Sequence, residues 1–164
     1  MTLLEELLQA WHYTRDGVIA EIEVLPEAQF NERPQGLGRS ALDLANHIVE
    51  SGWLMAGELS NPHGDFRRKS YPELLDEHLK SDVANNKAEA LQILQRSHAE
   101  GDALLRAAGE ELMLRPIRQF NGEYATRLAW LHHGVSHEEY HRGQIALYAR
   151  WFGVVPALTR AIHG

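Results

Sequence analysis

Residues 133–144 read HGVSHEEYHRGQ, with histidines at 133, 137 and 141. On an α-helix, side chains four residues apart stand one turn above each other. Two such imidazoles can therefore reach a single divalent ion, which is why H-x-x-x-H recurs in helical metal sites. His133 and His141 lie about 12 Å apart along a helix axis, so all three cannot share one ion. Spacing alone leaves His133/His137 and His137/His141 both open. The second pair falls in the stripe Trp130, Gly134, His137, His141, Gln144, Tyr148 and Trp151, aromatic at both ends and polar in the middle. Burying an unpaired polar group costs on the order of 2 to 7 kcal/mol, so those imidazoles need partners. Two histidines hold a metal weakly, and a third ligand has to come from another segment. His47 is the candidate, in SALDLANHIVESGWLM, on the helical row Leu44, His47, Ser51, Leu54.

The string H-E-E-Y-H also matches the zinc-protease pattern H-E-x-x-H. The rest of a zincin is missing: no Asp or Glu follows His141, and His163 is the only later histidine. A ferritin-like di-iron centre wants Glu-x-x-His on two helices, and only Glu138 to His141 satisfies it. There is no cysteine, which excludes disulfides and thiolate ligands and leaves imidazole and carboxylate. A net charge of -7, with Arg67, Arg68 and Lys69 as the one basic cluster, argues against nucleic acid as a partner. That cluster reads as a solvated loop.

Four long helical stretches must position these residues. The first, about 3–24, spaces Leu4, Leu7, Leu8, Trp11, Val18 and Ile22 in steps of three and four. A Pro- and Gly-bearing loop follows, and Ser40 with Asp43 caps the second, about 41–59. Ser70 with Glu73 caps a short helix. The third long helix is expected over about 82–108, stopped by Gly109, and the fourth over about 127–152, capped by Thr126. Between them, RPIRQFNGEYAT carries the turn pair Asn121–Gly122 and reads as a brief extended excursion. The expectation is an all-α protein, a four-helix bundle with short extra helices in the connections, as one domain over residues 1–164. No apolar run is long enough to span a membrane and the N-terminus lacks the basic-then-apolar order of a signal peptide, so the protein is expected in the cytoplasm. Trp11, Trp53, Trp130 and Trp151 read as core or interface residues, and Gly143 as a point of close helix approach.

LANHI in the second helix, and HEEYHRGQIALYARWFGVVP far downstream, resemble the DinB/YfiT-like superfamily of metal-binding four-helix bundles. An early W-x-x-T-R (Trp11, Thr14, Arg15) and F-N-x-R-P extend the likeness over nearly the whole chain. The resemblance implies a metal held by His47, His137 and His141, which favours that pair over His133. It also implies zinc or nickel, with iron or manganese as further candidates, a homodimer, and a small-molecule substrate such as a low-molecular-weight thiol.

The function expected is that of a metal-dependent enzyme, a thiol S-transferase or hydrolase, with an open coordination position for water or thiol. Gln144, Glu50 and Tyr140 are the candidates for supporting or proton-handling roles. The rival expectation is a metal-stabilised or ligand-binding bundle without turnover, closed by a fourth protein ligand.

Overall fold

The computed structural model describes residues 1–34, 36, 38–79 and 83–164. α1 (Leu3–Val24) opens on Thr2, whose hydroxyl accepts from the Glu5 backbone N–H while the Glu5 carboxylate accepts from the Thr2 N–H. The same reciprocal cap starts α2 (Ala41–Ser60) at Ser40 and Asp43, the pair read from the sequence. Ahead of it, Glu27–Gln29 form a single 3-10 turn. Pro72 sits in the first turn of α3 (Tyr71–His78), where its missing N–H costs nothing. α4 (Lys87–Met113) begins where the Asn86 side chain accepts from the Glu89 N–H. The expected start near residue 82 falls outside the described residues, and the cap at Asn86 places the described helix start later. Gly109 does break the helix, at φ 75°, a conformation other residues rarely adopt, but a last helical turn follows instead of a stop.

β1 (Pro116–Arg118) and β2 (Tyr124–Thr126) form an antiparallel hairpin with Ile117 opposite Ala125, the excursion expected around Asn121–Gly122. Thr126 then caps α5 (Arg127–Trp151), its hydroxyl accepting from the Ala129 N–H. A short terminal helix, α6 (Ala157–His163), packs back on α1 and lies beyond the expected elements. No described helix is long and apolar enough to cross a membrane.

The long helices form a four-helix bundle in which α1 packs on α4 and α5, and α2 likewise packs on α4 and α5. The consecutive pair α1 and α2 therefore face each other across a diagonal, as do α4 and α5. Two apolar clusters fill the interior. One gathers Val18, Ile22, Ile48, Trp53, Leu94 and Ile145. The other gathers Leu8, Trp11, Leu54, Leu105 and Leu131. Between them, on α1, α4 and α5, lies a polar layer of Arg15, Ser97, His98 and Glu138, every one buried. Gly134 sits where α5 approaches α2 so closely that a Cβ would fall on the Met55 side chain. Gly143, by contrast, is exposed with nothing within 4 Å of a Cβ, so the expectation of close approach there is corrected: that helix face meets solvent.

Candidate metal centre

Because α5 packs against α2, the row carrying His137 and His141 meets the row carrying His47. His47 Nε2 lies 3.2 Å from His137 Nε2, and His141 Nε2 lies 3.1 Å from His137 Nε2. One nitrogen from each of the three rings falls within 4.8 Å of the others. Nitrogens bound tetrahedrally at about 2.05 Å stand about 3.3 Å apart, so this donor set fits a single divalent ion. Among the described residues the group holds these three donors and no fourth.

His141 Nδ1–H donates to Gln144 Oε1 at 2.7 Å, which fixes the ring and leaves its Nε2 lone pair facing the other imidazoles. Burial pushes His47 and His137 down to about 4 and His141 below its usual range, and the exposed Arg39 adds to this at all three. The rings are therefore neutral at pH 7, the form a metal requires.

Glu138, inside H-E-E-Y-H, is not free to act as a base. It is 2 % exposed, and its carboxylate accepts from Trp11 Nε1–H at 2.7 Å and from Arg15 at 2.9 Å and 2.5 Å. Thr14 donates to the neighbouring Glu139 at 3.0 Å. The early W-x-x-T-R and the late H-E-E are thus two halves of one contact between α1 and α5. Sequence reasoning missed the buried pair, although its signal was present: Arg15 stands in the apolar row Trp11, Val18, Ile22, where a charge needs a partner. Arg142 pairs with Glu139 at 3.0 Å, as expected of a residue off the histidine stripe, but it is buried, its guanidinium packed over Gly17 of α1.

The other candidates are spread around the triad. Tyr140 is exposed, its ring 5.2 Å from that of His141. Half-buried Glu50 lies close enough to Tyr71 that its charge adds to the burial that pushes the phenol up. His133 is exposed and stacks on Trp130 at 4.5 Å, apart from the three converging nitrogens. Trp151, at the end of the predicted stripe, is 60 % exposed and so lies outside the bundle core. A cavity of about 180 Å³ opens beside His47 and His137, walled by Phe66, Phe120 and Trp130. A second, more polar hollow, lined by Arg39, Tyr140, Gln144 and Tyr148, lies on the His141 side.

Glu58, Glu77 and His78 also cluster, but that carboxylate knot already holds cations. Burial would push Glu58 up, yet hydrogen bonds from His78, Arg68 and the Asp65 N–H outweigh it and hold it at about 2. Arg68 belongs to this knot, so the basic triplet is not the fully solvated loop expected from sequence.

The DinB superfamily model matches residues 10–145. No curated protein matches the chain. Among solved structures, YfiT from Bacillus subtilis, described as a probable metal-dependent hydrolase with an unusual four-helix bundle topology, aligns at TM-score 0.70 and 19% identity. The alignment covers 92% of this chain and 88% of that one. The DinB-like protein YjoA from Bacillus subtilis aligns at TM-score 0.69 and 20% identity, over 90% of this chain and 92% of its own. A mycothiol-dependent maleylpyruvate isomerase aligns at 0.70 and 16% identity, over 88% of this chain but 63% of its own. These likenesses are of fold, and with the family match over most of the sequence they establish that the chain belongs to the DinB superfamily.

Proposed function

We propose that this protein is a divalent-metal-dependent enzyme of the transferase or hydrolase type, acting on a small molecule that includes a low-molecular-weight thiol. The observation that carries the reading is the convergence of three neutral imidazole nitrogens, His47, His137 and His141, at separations that suit one ion. Gln144 orients His141 through Nδ1. Zinc or nickel suits three imidazoles, with iron and manganese as alternatives. When bound, the ion supplies Lewis acidity that lowers the pKa of a water or thiol in its open position. The chain's own residues hold the donors neutral, keep Glu138 occupied so that it does not compete as a ligand, and shape a partly apolar approach. The names of two fold neighbours support a metal and a thiol, since one is described as metal-dependent and the other as mycothiol-dependent. We place the protein in the cytoplasm as a homodimer.

Elemental analysis of protein purified without a metal-affinity tag tests the reading. Stoichiometric metal in the wild type, lost in His137→Ala/His141→Ala, is the expected result. Equal metal content in both removes the site. Thiol-transfer and ester-hydrolysis assays on the loaded protein then separate the two reaction types, and absence of both with metal retained favours a non-catalytic bundle.

A further inference from the structure

The geometry points to a neutral, ring-sized apolar group as the part of the substrate that sits beside the triad. This deepens the reading above and rests on it for the group that faces the metal. Four aromatic rings from four different segments meet at the cavity: Phe66 ahead of α3, Tyr71 at its start, Phe120 in the hairpin, and Trp130 on α5. Phe66 lies 4.9 Å from Phe120 and 5.3 Å from Trp130, and Phe120 lies 6.1 Å from Trp130, all tilted rather than stacked flat. At these separations the rings touch one another and form one continuous wall, which presents faces and edges to the cavity beside it. His47 and His137 border the same space.

Three properties select the occupant. Size comes first: a dry apolar cavity of about 150 Å³ holds a benzene molecule, so about 180 Å³ admits one six-membered ring or a branched aliphatic group and no more. Charge is second: the one carboxylate in the lining is that of Glu138, and Arg15 and Trp11 already occupy it. Away from the triad, an anionic group would find no Lys or Arg on the wall. Position is third: an aromatic enclosure also suits a quaternary ammonium ion, but a divalent cation at the triad would repel a second positive charge a few ångströms away. A neutral ring carrying its reactive atom toward His47 and His137 meets all three conditions. Larger polar portions of a substrate have to leave through the open side.

The test uses fluorobenzene, which has no metal-binding atom, followed by ¹⁹F NMR on the metal-free wild-type protein. Saturable binding is expected, weakened about tenfold in Phe120→Ala and again in Trp130→Ala. Phe120 is part-exposed in a hairpin, so its variant keeps the bundle core intact. No saturable binding, or binding indifferent to both substitutions, overturns the inference, as does tighter binding of tetramethylammonium than of fluorobenzene to the zinc-loaded protein. On zinc-loaded protein, benzohydroxamate should bind about tenfold more tightly than acetohydroxamate, with the preference lost in Phe120→Ala. Failure of both hydroxamates while fluorobenzene still binds sinks the metal reading and sustains the cavity assignment. Equal affinity of the two hydroxamates overturns the cavity assignment while sustaining the metal.

Discussion

Arg15 Nε donates to Glu138 Oε2 at 2.9 Å across the interior of the bundle, with both side chains almost wholly shielded from water. The guanidinium also donates to the Leu94 carbonyl at 2.7 Å and to Ser97 Oγ at 3.1 Å, so one residue of α1 binds both α4 and the helix bearing His137 and His141. Its charge is matched within a polar layer that two apolar clusters flank.

Arg15→Leu should therefore cost about 3–5 kcal/mol in urea unfolding, because it leaves the Glu138 carboxylate buried with Trp11 as its remaining partner. Glu138→Gln should cost less, since an amide oxygen still accepts from Trp11. A loss below about 1 kcal/mol in Arg15→Leu would show that the pair is not what anchors α5.

Gln144→Ala should weaken metal affinity by roughly 10–100-fold in calorimetric titration while leaving the fold's circular dichroism unchanged, because it frees the Nδ1 side of His141. His133→Ala should leave affinity where it was, as that ring stacks on Trp130 outside the converging nitrogens. Equal effects of the two substitutions would contradict the assignment of His141 as the oriented ligand.

Stability should fall as pH drops from about 6.5 toward 4, in part through His98. Burial holds this imidazole at about 4; Arg15 and His12 on α1 push the same way, while Glu138 on α5 and Asp102 on α4 oppose them. The folded ring stays neutral where the unfolded one takes up a proton, so the unfolded state binds more protons in that window and gains as pH falls. The stabilisation is complete above about 6.5, and one such group changes ΔG by about 1.4 kcal/mol per pH unit within the window. Denaturation curves at pH 7.5, 6 and 5 should be less pH-dependent for His98→Phe than for the wild type, whose half-buried His47 and His137 contribute with the same sign. Parallel pH profiles would remove His98 from this account.

Two glycine substitutions should move stability in opposite directions. In Gly101→Ala the new Cβ would meet the buried Trp11 ring at 2.8 Å, and thermal unfolding should show a loss of about 1–3 kcal/mol. Gly143→Ala meets open space on the exposed side of α5 and should gain about 0.5–1 kcal/mol from helix propensity alone. A loss at Gly143 would mean that another molecule covers that face in solution.

The helices were legible where their caps are local: Thr126, Ser40 with Asp43, and, for the short α3, Ser70 with Glu73 each act within four residues. The triad was half legible. The i, i+4 spacing of His137 and His141 is a property of one helix, whereas the meeting with His47 depends on α2 lying beside α5, and it was family likeness rather than spacing that favoured this pair over His133/His137. The Arg15–Glu138 pair spans 123 residues, and neither end announces the other. Gly143 misled because a small residue in a helix signals close packing only when its face turns inward. Nothing short-range distinguishes it from Gly134, which does face α2.

Phe120 hangs from a hairpin whose strands are three residues each, while His47, His137 and His141 stand on helices of 20 and 25 residues. In the reading proposed above, Phe120 is thus the one ring of the cavity wall carried by the ribbon, whereas Trp130 shares α5 with His137 and His141. A change confined to that ribbon would reshape the pocket's mouth while the three nitrogens kept their places on the long rods.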